Sequence, residues 1–257
     1  MKIALASDLH LEHSLRPDVR PASDIDLLIF AGDIHKGTQG MDWIEQNDFS
    51  CPSLYVAGNH EFYGSVYQRL EADLRERSSQ KVIYLNNDIF EFGGYTFIGS
   101  TLWTDYEYHR SLPADLNMFN ADANLNDHRQ IVWREEHEYT YFHPKHAREL
   151  HMTGRAFIEA QVAKVGREKS IVITHHAPTG AAIPPRHLGD SLNGCFVSDL
   201  DAWIYDHGPR VWMYGHVHWD IDIMIGETRV VSRQGGYRNE RAATGQPPFE
   251  LLTIELP

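Results

Sequence analysis

Five short apolar runs, each followed at once by a small group of polar residues, limit the folds open to this chain. The runs are almost unbroken stretches of Ile, Leu, Val, Ala and Tyr, as expected for β-strands that are buried on both faces. Stretches with helical periodicity lie between them, and this alternation predicts an α/β fold in which helices cover sheets. The five predicted strands are residues 2–6, 27–31, 53–57, 171–174 and 211–214.

Further elements are predicted from turn and cap signals. Glycine-containing turns between β-type runs predict two hairpins and a last strand, at 89–92 with 95–99, at 221–225 with 228–232, and at 251–255. Helical patterns predict four helices, at 41–47, 65–77, 144–165 and 198–206. Because the sequence has neither an internal repeat nor a flexible linker, one domain spanning 1–257 is predicted.

The segment 105–143 fits neither the strand nor the helix pattern. It is polar, aromatic and long, and long irregular segments in compact domains are usually functional. The sequence predicts an inserted lid or rim over a site, with a partly helical surface excursion as an equally good alternative. Its aromatic residues either pack such a lid or offer stacking surfaces to a nucleotide base, and packing is the more common role.

The polar groups that follow the five strands consist of residue types that bind metal ions. In an α/β sheet, ligands bind outside the carboxyl ends of the strands, where the loops of neighbouring strands converge. A glycine precedes three of these groups, which allows tight turns and a close approach of the backbone. The groups therefore predict one site, formed by Asp8, His10, Asp33, Asn59, His60, His175, His216 and His218.

This set of residue types indicates a centre of two metal ions. Imidazole and carboxylate donors without thiolate suit first-row divalent ions. Two aspartates, four or more histidines and an asparagine are too many for one tetrahedral ion, so two adjacent ions are predicted. Such a centre needs a ligand that touches both ions, and a carboxylate has two oxygens suited to this. Asp33, central among the groups, is predicted to be the bridge.

The same residues, in the same order, resemble the signature of the calcineurin-like metallophosphoesterases. The blocks are Asp8-x-His10, Gly32-Asp33, Gly58-Asn59-His60-Glu61, His175 and Gly215-His216-x-His218. The resemblance implies a four-layer αββα sandwich of two mixed β-sheets flanked by helices. It also implies that one ion is held by Asp8, His10, Asp33 and His218, and the other by Asp33, Asn59, His175 and His216. His60 would not be a ligand, and would contact the phosphate or protonate the leaving group.

The activity that this resemblance implies is hydrolysis of a phosphodiester or a small phosphomonoester by attack of a metal-bound hydroxide. The cofactors would be two divalent or mixed-valence transition metal ions, with Mn, Fe, Zn, Ni and Co as candidates. A serine/threonine protein phosphatase and a non-catalytic metal-binding scaffold of the same fold are the alternatives.

The chain departs from the protein phosphatases of the family at two places. Those relatives carry Asp-Arg-Gly shortly after the Gly-Asp block and an Arg just before Gly-Asn-His, and both arginines grip the phosphate. Here His35-Lys36-Gly37 and Ala57 stand at these places. The chain is more similar to small bacterial-type phosphodiesterases and phosphatases. The missing aspartate also leaves open which residue orients His60, with His35 or a residue from elsewhere as candidates.

Charge and hydropathy limit the partners. The 257 residues carry a formal net charge of −13, which argues against general nucleic-acid binding. Two divalent ions with Asp8 and Asp33 would still carry a local charge of 4 − 2 = +2, enough to attract a small phosphate ester such as a nucleotide. The longest apolar run, 27–31, is too short to cross a membrane, and strand-like residues begin at Lys2, so a cytoplasmic location is expected.

Three further histidines, His143, His146 and His151, stand at the start of a charged helix. They are predicted to lie on a solvated surface. His176, which follows His175 in an extended segment, is predicted to make a hydrogen bond in the core.

Overall fold

The computed structural model describes residues 1–13, 17–108, 112–135 and 138–257. Most of its strands are short and apolar, as the sequence predicts. They are β1 (Lys2–Ala6), β2 (Leu27–Ala31), β3 (Ser53–Val56), β4 (Val82–Tyr84), β5 (Asp88–Phe92), β6 (Tyr95–Ser100), β7 (Val132–Glu135), β8 (Glu138–Tyr141), β9 (Ser170–Thr174), β10 (Val211–Tyr214), β11 (Asp222–Ile225), β12 (Thr228–Ser232) and β13 (Leu252–Glu255).

The helices of the described chain range from one turn to six. They are α1 (Gln39–Asn47), α2 (Tyr67–Glu76), α3 (Ala114–Asn124), α4 (Asp127–Gln130), α5 (Pro144–Val165), α6 (Asp201–His207) and α7 (Glu240–Ala243). Helix α5 begins at Pro144, whose missing N–H would have no partner within the helix in any case. Within the described ranges, no helix is both long enough and apolar enough to span a bilayer.

The strands form two large mixed sheets and one small hairpin. The first sheet has the order β13-β1-β2-β3-β4, and the second has the order β11-β12-β10-β9-β6-β5. In the first sheet β1, β2, β3 and β4 run parallel, and β13 pairs antiparallel with β1. In the second, β10 lies between two parallel neighbours, β9 and β12. Strands β7 and β8 form a separate two-stranded sheet, and Val132 of β7 makes one further parallel bridge to Val66.

Three apolar layers hold four layers of secondary structure together. One lies between the sheets and joins residues such as Leu5 and Ile29 of the first to Ile173 and Met213 of the second. The outer face of the first sheet packs on α1 and α2, and the outer face of the second sheet packs on α5 and α6. Because each central strand is covered on both sides, its sequence is apolar at most positions. This is the predicted four-layer αββα sandwich.

The predicted elements are confirmed, with ends that shift by up to three residues. Strand β4 was not predicted, because three residues beside a polar stretch give too short an apolar run. The segment 105–143 is more regular than its sequence indicates, since it contains α3, α4 and the β7–β8 hairpin. Helix α3 has a sequence, ADLNMFNADAN, in which apolar and polar residues do not separate onto clear faces.

The prediction that the three histidines at the start of α5 lie on a solvated surface is wrong for two of them. His146 and His151 are 2% and 0% exposed. The ring of His146 stacks on Trp133 of the small hairpin at 4.4 Å, and His151 Nε2 lies 3.6 Å from an Asp105 carboxylate oxygen. The segment 105–143 covers this face of α5, which the sequence alone left open. His176 is buried as predicted, with Nδ1 3.3 Å from the Thr101 carbonyl oxygen.

Candidate metal centre

The carboxyl ends of five parallel strands meet at one edge of the sandwich. Strands β1, β2 and β3 are neighbours in the first sheet, and β9 and β10 are neighbours in the second. The structure brings together the predicted residues that follow these strands, and six of the eight are at most 8% exposed. Those six are Asp8, His10, Asp33, Asn59, His60 and His175.

The donor atoms form two groups of three, and within each group all of them lie within 4.8 Å of one another. One group contains Asp8, His10 and His218, and the other contains Asp33, His175 and His216. Between them, Asp33 turns one oxygen to each side. Its Oδ1 lies 3.4 Å from His175 Nε2, and its Oδ2 lies 3.9 Å from His10 Nε2.

The contacts inside these groups are those of a site built for cations. His10 Nε2 and His218 Nε2 face each other at 3.0 Å, although each is a potential electron-pair donor. Asp8 Oδ1 lies 3.4 Å from the same His218 nitrogen, and Asn59 Oδ1 lies 3.1 Å from His175 Nε2. Carboxylate, amide and imidazole donors without a thiolate fit divalent first-row ions. The residues therefore fit the two metal ions that the sequence predicts.

The backbone at this edge is strained. Five of the eight residues have a left-handed conformation that residues other than glycine seldom adopt. Their φ angles are 52° at Asp8, 45° at His10, 55° at Asp33, 79° at His216 and 51° at His218. Such residues cost about 1–3 kcal/mol each and cluster at functional sites.

Backbone hydrogen bonds between neighbouring loops hold this strained conformation. The Asp8 and His10 amides donate to the carbonyls of Gly32 and Asp33, at 2.9 and 3.0 Å. The loops after β1 and β2 therefore form one rigid unit. The left-handed backbone conformation, held by these hydrogen bonds, directs the donor side chains into the site.

Three glycines leave the space that the donor side chains fill. A Cβ atom at Gly32 would lie 2.4 Å from His175 Nδ1, and one at Gly215 would lie 2.6 Å from Asp8 Oδ2. At Gly58 it would lie 2.2 Å from Asp33 Oδ1 and 2.6 Å from the His175 ring. These are the glycines that precede polar groups in the sequence. Their role is to let the donor atoms converge.

We expect Gly58→Ala to weaken metal binding while the chain still folds. Gly58 does not have a positive φ, so only the lack of space opposes the substitution. The new methyl group would push Asp33 and His175 apart, and we expect Mn²⁺ affinity to fall about 10- to 100-fold, as it does when the surroundings of metal ligands are disturbed. Calorimetric titration with Mn²⁺ measures this.

Gly154→Ala is the matched control for Gly58→Ala. Its Cβ would also be crowded, 2.6 Å from Ser100 Oγ, but it lies in α5, away from the donors. It should lower the melting temperature and leave Mn²⁺ affinity unchanged. Unchanged affinity in Gly58→Ala would contradict the role given to the glycine.

A second set of carboxylates holds the donors in place. Glu240 accepts a hydrogen bond from His218 Nδ1 at 2.6 Å, and Asp127 accepts one from Asn59 Nδ2 at 2.9 Å. Glu12 Oε1 accepts from both His10 Nδ1, at 3.2 Å, and His60 Nδ1, at 2.8 Å. Such partners fix ring orientation and raise ligand basicity. Glu12 supplies the carboxylate partner that the sequence left open for His60, and His35 does not.

The buried Glu61 ties the loops after β2 and β3 together. Its carboxylate accepts hydrogen bonds from the backbone amides of Asp33, Ile34 and Gly58 at 2.7–3.0 Å, and from the Tyr55 hydroxyl at 2.7 Å. Burial and the charge of Asp33 raise the pKa of Glu61 to about 7. Glu61 therefore connects the loop after β2 to the loop after β3 by hydrogen bonds.

The histidines divide into two kinds by pKa. Burial lowers the pKa of His10, and burial together with the neighbouring His176 holds the pKa of His216 well below its usual range, so both rings are neutral. Burial also lowers the pKa of His175 and of His218, but nearby carboxylates outweigh it. Asp33 raises the pKa of His175 to about 9, and Asp8 and Glu240 raise the pKa of His218 to about 10. A metal ion binding here would therefore displace protons.

A cavity of about 390 Å³ opens directly onto these groups. Its inner wall includes Asp33, Asn59, His60, His216 and His218. Its outer wall comes from residues 124–127, next to α3 and α4, from residues 183–197, and from Tyr237 and Glu240. Small-molecule sites have volumes in this range.

Glu12, Asp127, Tyr237 and Glu240 were not among the predicted site residues. Only Glu12 has a local signal, as the second residue after His10 in Asp-x-His-x-Glu. The other three lie far from any of the five blocks, at chain positions that only the folded structure brings to the cavity.

Two mixed sheets with histidine and carboxylate donors at their shared edge define a metal-dependent hydrolase with the metallo-dependent phosphatase fold. The family model for calcineurin-like phosphoesterases matches residues 1–220, and the chain belongs to this family. It is a metal-dependent phosphoesterase, as the resemblance of its motifs predicts, and the ions that the family uses are divalent.

Two similar proteins cover nearly the whole chain. Uncharacterized protein L509 of Acanthamoeba polyphaga mimivirus is 26% identical over 282 residues, which include 97% of this chain and 95% of the viral protein. The crystal structure of phosphopantetheinyl hydrolase (PptH) from Mycobacterium tuberculosis superposes with a TM-score of 0.72 at 17% identity, over 98% of this chain and 95% of that one. At this identity the likeness shows a shared fold.

Proposed function

We propose that this chain hydrolyses small phosphate esters at a centre of two divalent metal ions. Asp8, His10, Asp33 and His218 would hold one ion, and Asp33, Asn59, His175 and His216 the other. The observation that carries this proposal is the position of Asp33, whose two oxygens face different groups of donors. A single carboxylate with this orientation is suited to bridging two cations.

The ions would supply Lewis-acid activation of water and of the phosphoryl oxygens. The chain itself supplies the charge balance. Asp8 and Asp33 are the only carboxylates in the proposed ligand set, and Asn59 is neutral, so two divalent ions would leave a local charge of 4 − 2 = +2. A protein with a net charge of −13 can attract an anionic ester only through such a local positive region.

His60 is the proposed proton donor to the leaving group. Its Nδ1 is held by Glu12, so the ring presents Nε2, which lies 3.9 Å from Asp33 Oδ2. Burial lowers the pKa of His60, but Asp33 and Glu12 outweigh burial and raise it above the ordinary value, which favours the protonated form. A ring with Nδ1 fixed and Nε2 directed to the cavity can transfer a proton to an oxygen bound there.

The volume of the cavity, about 390 Å³, fits a substrate whose organic group is small. We propose that residues 105–143 form a rim within a single domain of residues 1–257, since residues 124–127 line the cavity together with residues of the segment 183–197. Arg186 is the cationic side chain of this wall, and it pairs with Glu240 at 2.8 Å. An anionic ester would find a cation here although the arginines of the protein phosphatases are absent.

Hydrolysis of bis(p-nitrophenyl) phosphate tests the proposal. We expect Mn²⁺ to support activity, a chelator to abolish it, and Mn²⁺ added back to restore it. Phosphoserine peptides serve as the comparison, and we expect them to be cleaved more slowly than small esters. A protein that holds two metal ions but cleaves neither a small diester nor a small monoester would contradict the proposal.

Glu12→Gln should lower turnover with little change in shape. The amide removes the charge that fixes Nδ1 of both His60 and the proposed ligand His10, so Mn²⁺ is kept saturating. We then expect kcat for diphenyl phosphate, whose basic leaving group needs a proton donor, to fall about 10- to 100-fold. Glu240→Gln is the paired control, because Glu240 accepts a hydrogen bond from the ring of His218 rather than from that of His60. It should weaken Mn²⁺ binding yet keep most of kcat once the metal is saturating. Equal kcat values for Glu12→Gln and the unsubstituted protein would refute the role of Glu12.

A further inference from the structure

We infer that Tyr237 is a catalytic residue, whose hydroxyl donates a hydrogen bond to the leaving-group oxygen beside His60. The inference rests on the proposed function and adds a group that neither the motifs nor the family match assigns. In the structure the Tyr237 hydroxyl lies 3.2 Å from His60 Nε2, the atom proposed to release the proton. Tyr237 also lines the cavity and is 42% exposed.

A glycine turn after β12 brings Tyr237 to this point. The amides of Gly235 and Gly236 donate to the carbonyls of Ser7 and Asp8, both at 2.9 Å, so the turn is attached to the loop that carries Asp8. A Cβ atom at Gly235 would lie 2.8 Å from the Asp8 carbonyl oxygen, and Gly236 has a φ of +74°. Only glycines allow this approach, so the turn has a fixed position relative to the proposed ligands.

The ring of Tyr237 is held between two histidines. It stacks on His10, with centroids 4.5 Å apart and an interplanar angle of 28°, and it meets His218 edge-on at 4.7 Å and 74°. The Tyr237 amide donates to Glu240 Oε2 at 2.9 Å, and the same carboxylate oxygen accepts from His218 Nδ1. The ring, the backbone and the hydroxyl are therefore all positioned by residues of the site.

This geometry provides two donors for one oxygen. An oxygen within hydrogen-bonding distance of His60 Nε2 can also reach the Tyr237 hydroxyl, since the two are 3.2 Å apart. In hydrolysis a water oxygen bonds to phosphorus as the P–O bond to the leaving group breaks. The electron pair of the broken bond stays on the leaving oxygen, which takes the proton of His60. The Tyr237 hydroxyl keeps its own proton and donates a hydrogen bond, which stabilises the charge that develops on that oxygen.

The leaving-group dependence of Tyr237→Phe tests the inference, because the substitution keeps the ring and removes only the hydroxyl. Diphenyl phosphate releases a basic phenolate that needs a donor, whereas bis(p-nitrophenyl) phosphate releases a weakly basic anion that does not. We expect kcat for diphenyl phosphate to fall about 10- to 100-fold, as for a lost hydrogen bond to a charged group. The kcat for bis(p-nitrophenyl) phosphate should change about threefold or less, with metal content unchanged.

Tyr63→Phe is the matched control. The Tyr63 ring lies against the other side of His60, with centroids 4.3 Å apart, but its hydroxyl donates to Asp127 at 2.6 Å. Any loss of kcat in this variant should be the same for both diesters. Equal losses of kcat for both diesters in Tyr237→Phe, or no loss for either, would overturn the inference. Tyr237 would then have only a structural role. If the unsubstituted protein cleaves neither diester, the same comparison is made with phenyl phosphate and p-nitrophenyl phosphate, and failure to cleave these monoesters as well would contradict the proposed function instead.

Discussion

Replacing Asp33 by Asn should abolish hydrolysis, with kcat falling by about 10³-fold or more, as when charge stabilisation at a transition state is lost. Asn keeps the shape of the side chain and tolerates the left-handed backbone found at this position, where φ is 55°. It exchanges one of the two oxygens for an amide nitrogen, which cannot be a ligand. The variant should therefore bind fewer than two Mn²⁺ ions per chain, as measured by elemental analysis alongside turnover of bis(p-nitrophenyl) phosphate.

Asp48→Asn is the control for this experiment. Asp48 has nearly the same backbone conformation, with a φ of 48°, but it lies at the exposed end of α1 and pairs with Lys81. Its replacement should leave metal content and turnover unchanged. If Asp33→Asn kept two tightly bound ions and most of its activity, Asp33 would not be the bridge.

His60→Ala should lower kcat by about 10²- to 10⁴-fold, the usual contribution of a positioned general acid. Metal content should stay near that of the unsubstituted protein, because His60 is not among the proposed ligands. Its ring is held by Glu12 and lies at the cavity wall, so its loss leaves the donors of both groups in place. Turnover of diphenyl phosphate, whose basic leaving group needs a proton donor, and elemental analysis of the same preparation separate the two roles.

His13→Ala controls for the loss of a nearby imidazole. The His13 ring lies 6.4 Å from the His60 ring, but its side chain is 51% exposed and it belongs to neither of the two proposed ligand sets. It should keep full metal content and nearly full turnover. Loss of metal in His60→Ala would show that His60 is a ligand. Unchanged turnover in this variant would show that His60 takes no part in the reaction.

Much of the fold could be predicted from the sequence, because the central strands are covered on both faces. Strand β2 is buried at all five positions, and its apolar run ends where the strand ends. Helix α5 begins and ends at the predicted residues, since Pro144 marks its first turn and Gly166 follows its last residue. Patterns of this kind depend on local sequence alone.

The segment 105–143 could not be predicted in the same way. Its order depends on contacts with other parts of the chain, such as the stacking of Trp133 on His146 and the hydrogen bond that Cys195 Sγ donates to the Asn117 carbonyl. Local sequence cannot encode such contacts. The burial of His146 and His151 follows from the same contacts.

The donors of the site could be predicted as a set because each follows a strand, and parallel strands bring their ends to one edge. The groups around the donors could not. Glu12 bridges His10 and His60, Asp127 reaches Asn59 from 68 residues away, and Glu240 reaches His218 from 22 residues away. Asp127 and Glu240 have no local signal in the sequence, and the contact of Glu12 with His60 likewise depends on the packing of loops that are distant in the chain.

Anomalous X-ray diffraction from crystals grown with Mn²⁺ is the most direct test of the proposed centre. The account predicts two manganese peaks at the edge of the sandwich, one on each side of Asp33, the first in contact with Asp8 and His218 and the second with His175 and His216. A single peak, or peaks that do not share Asp33, would contradict it.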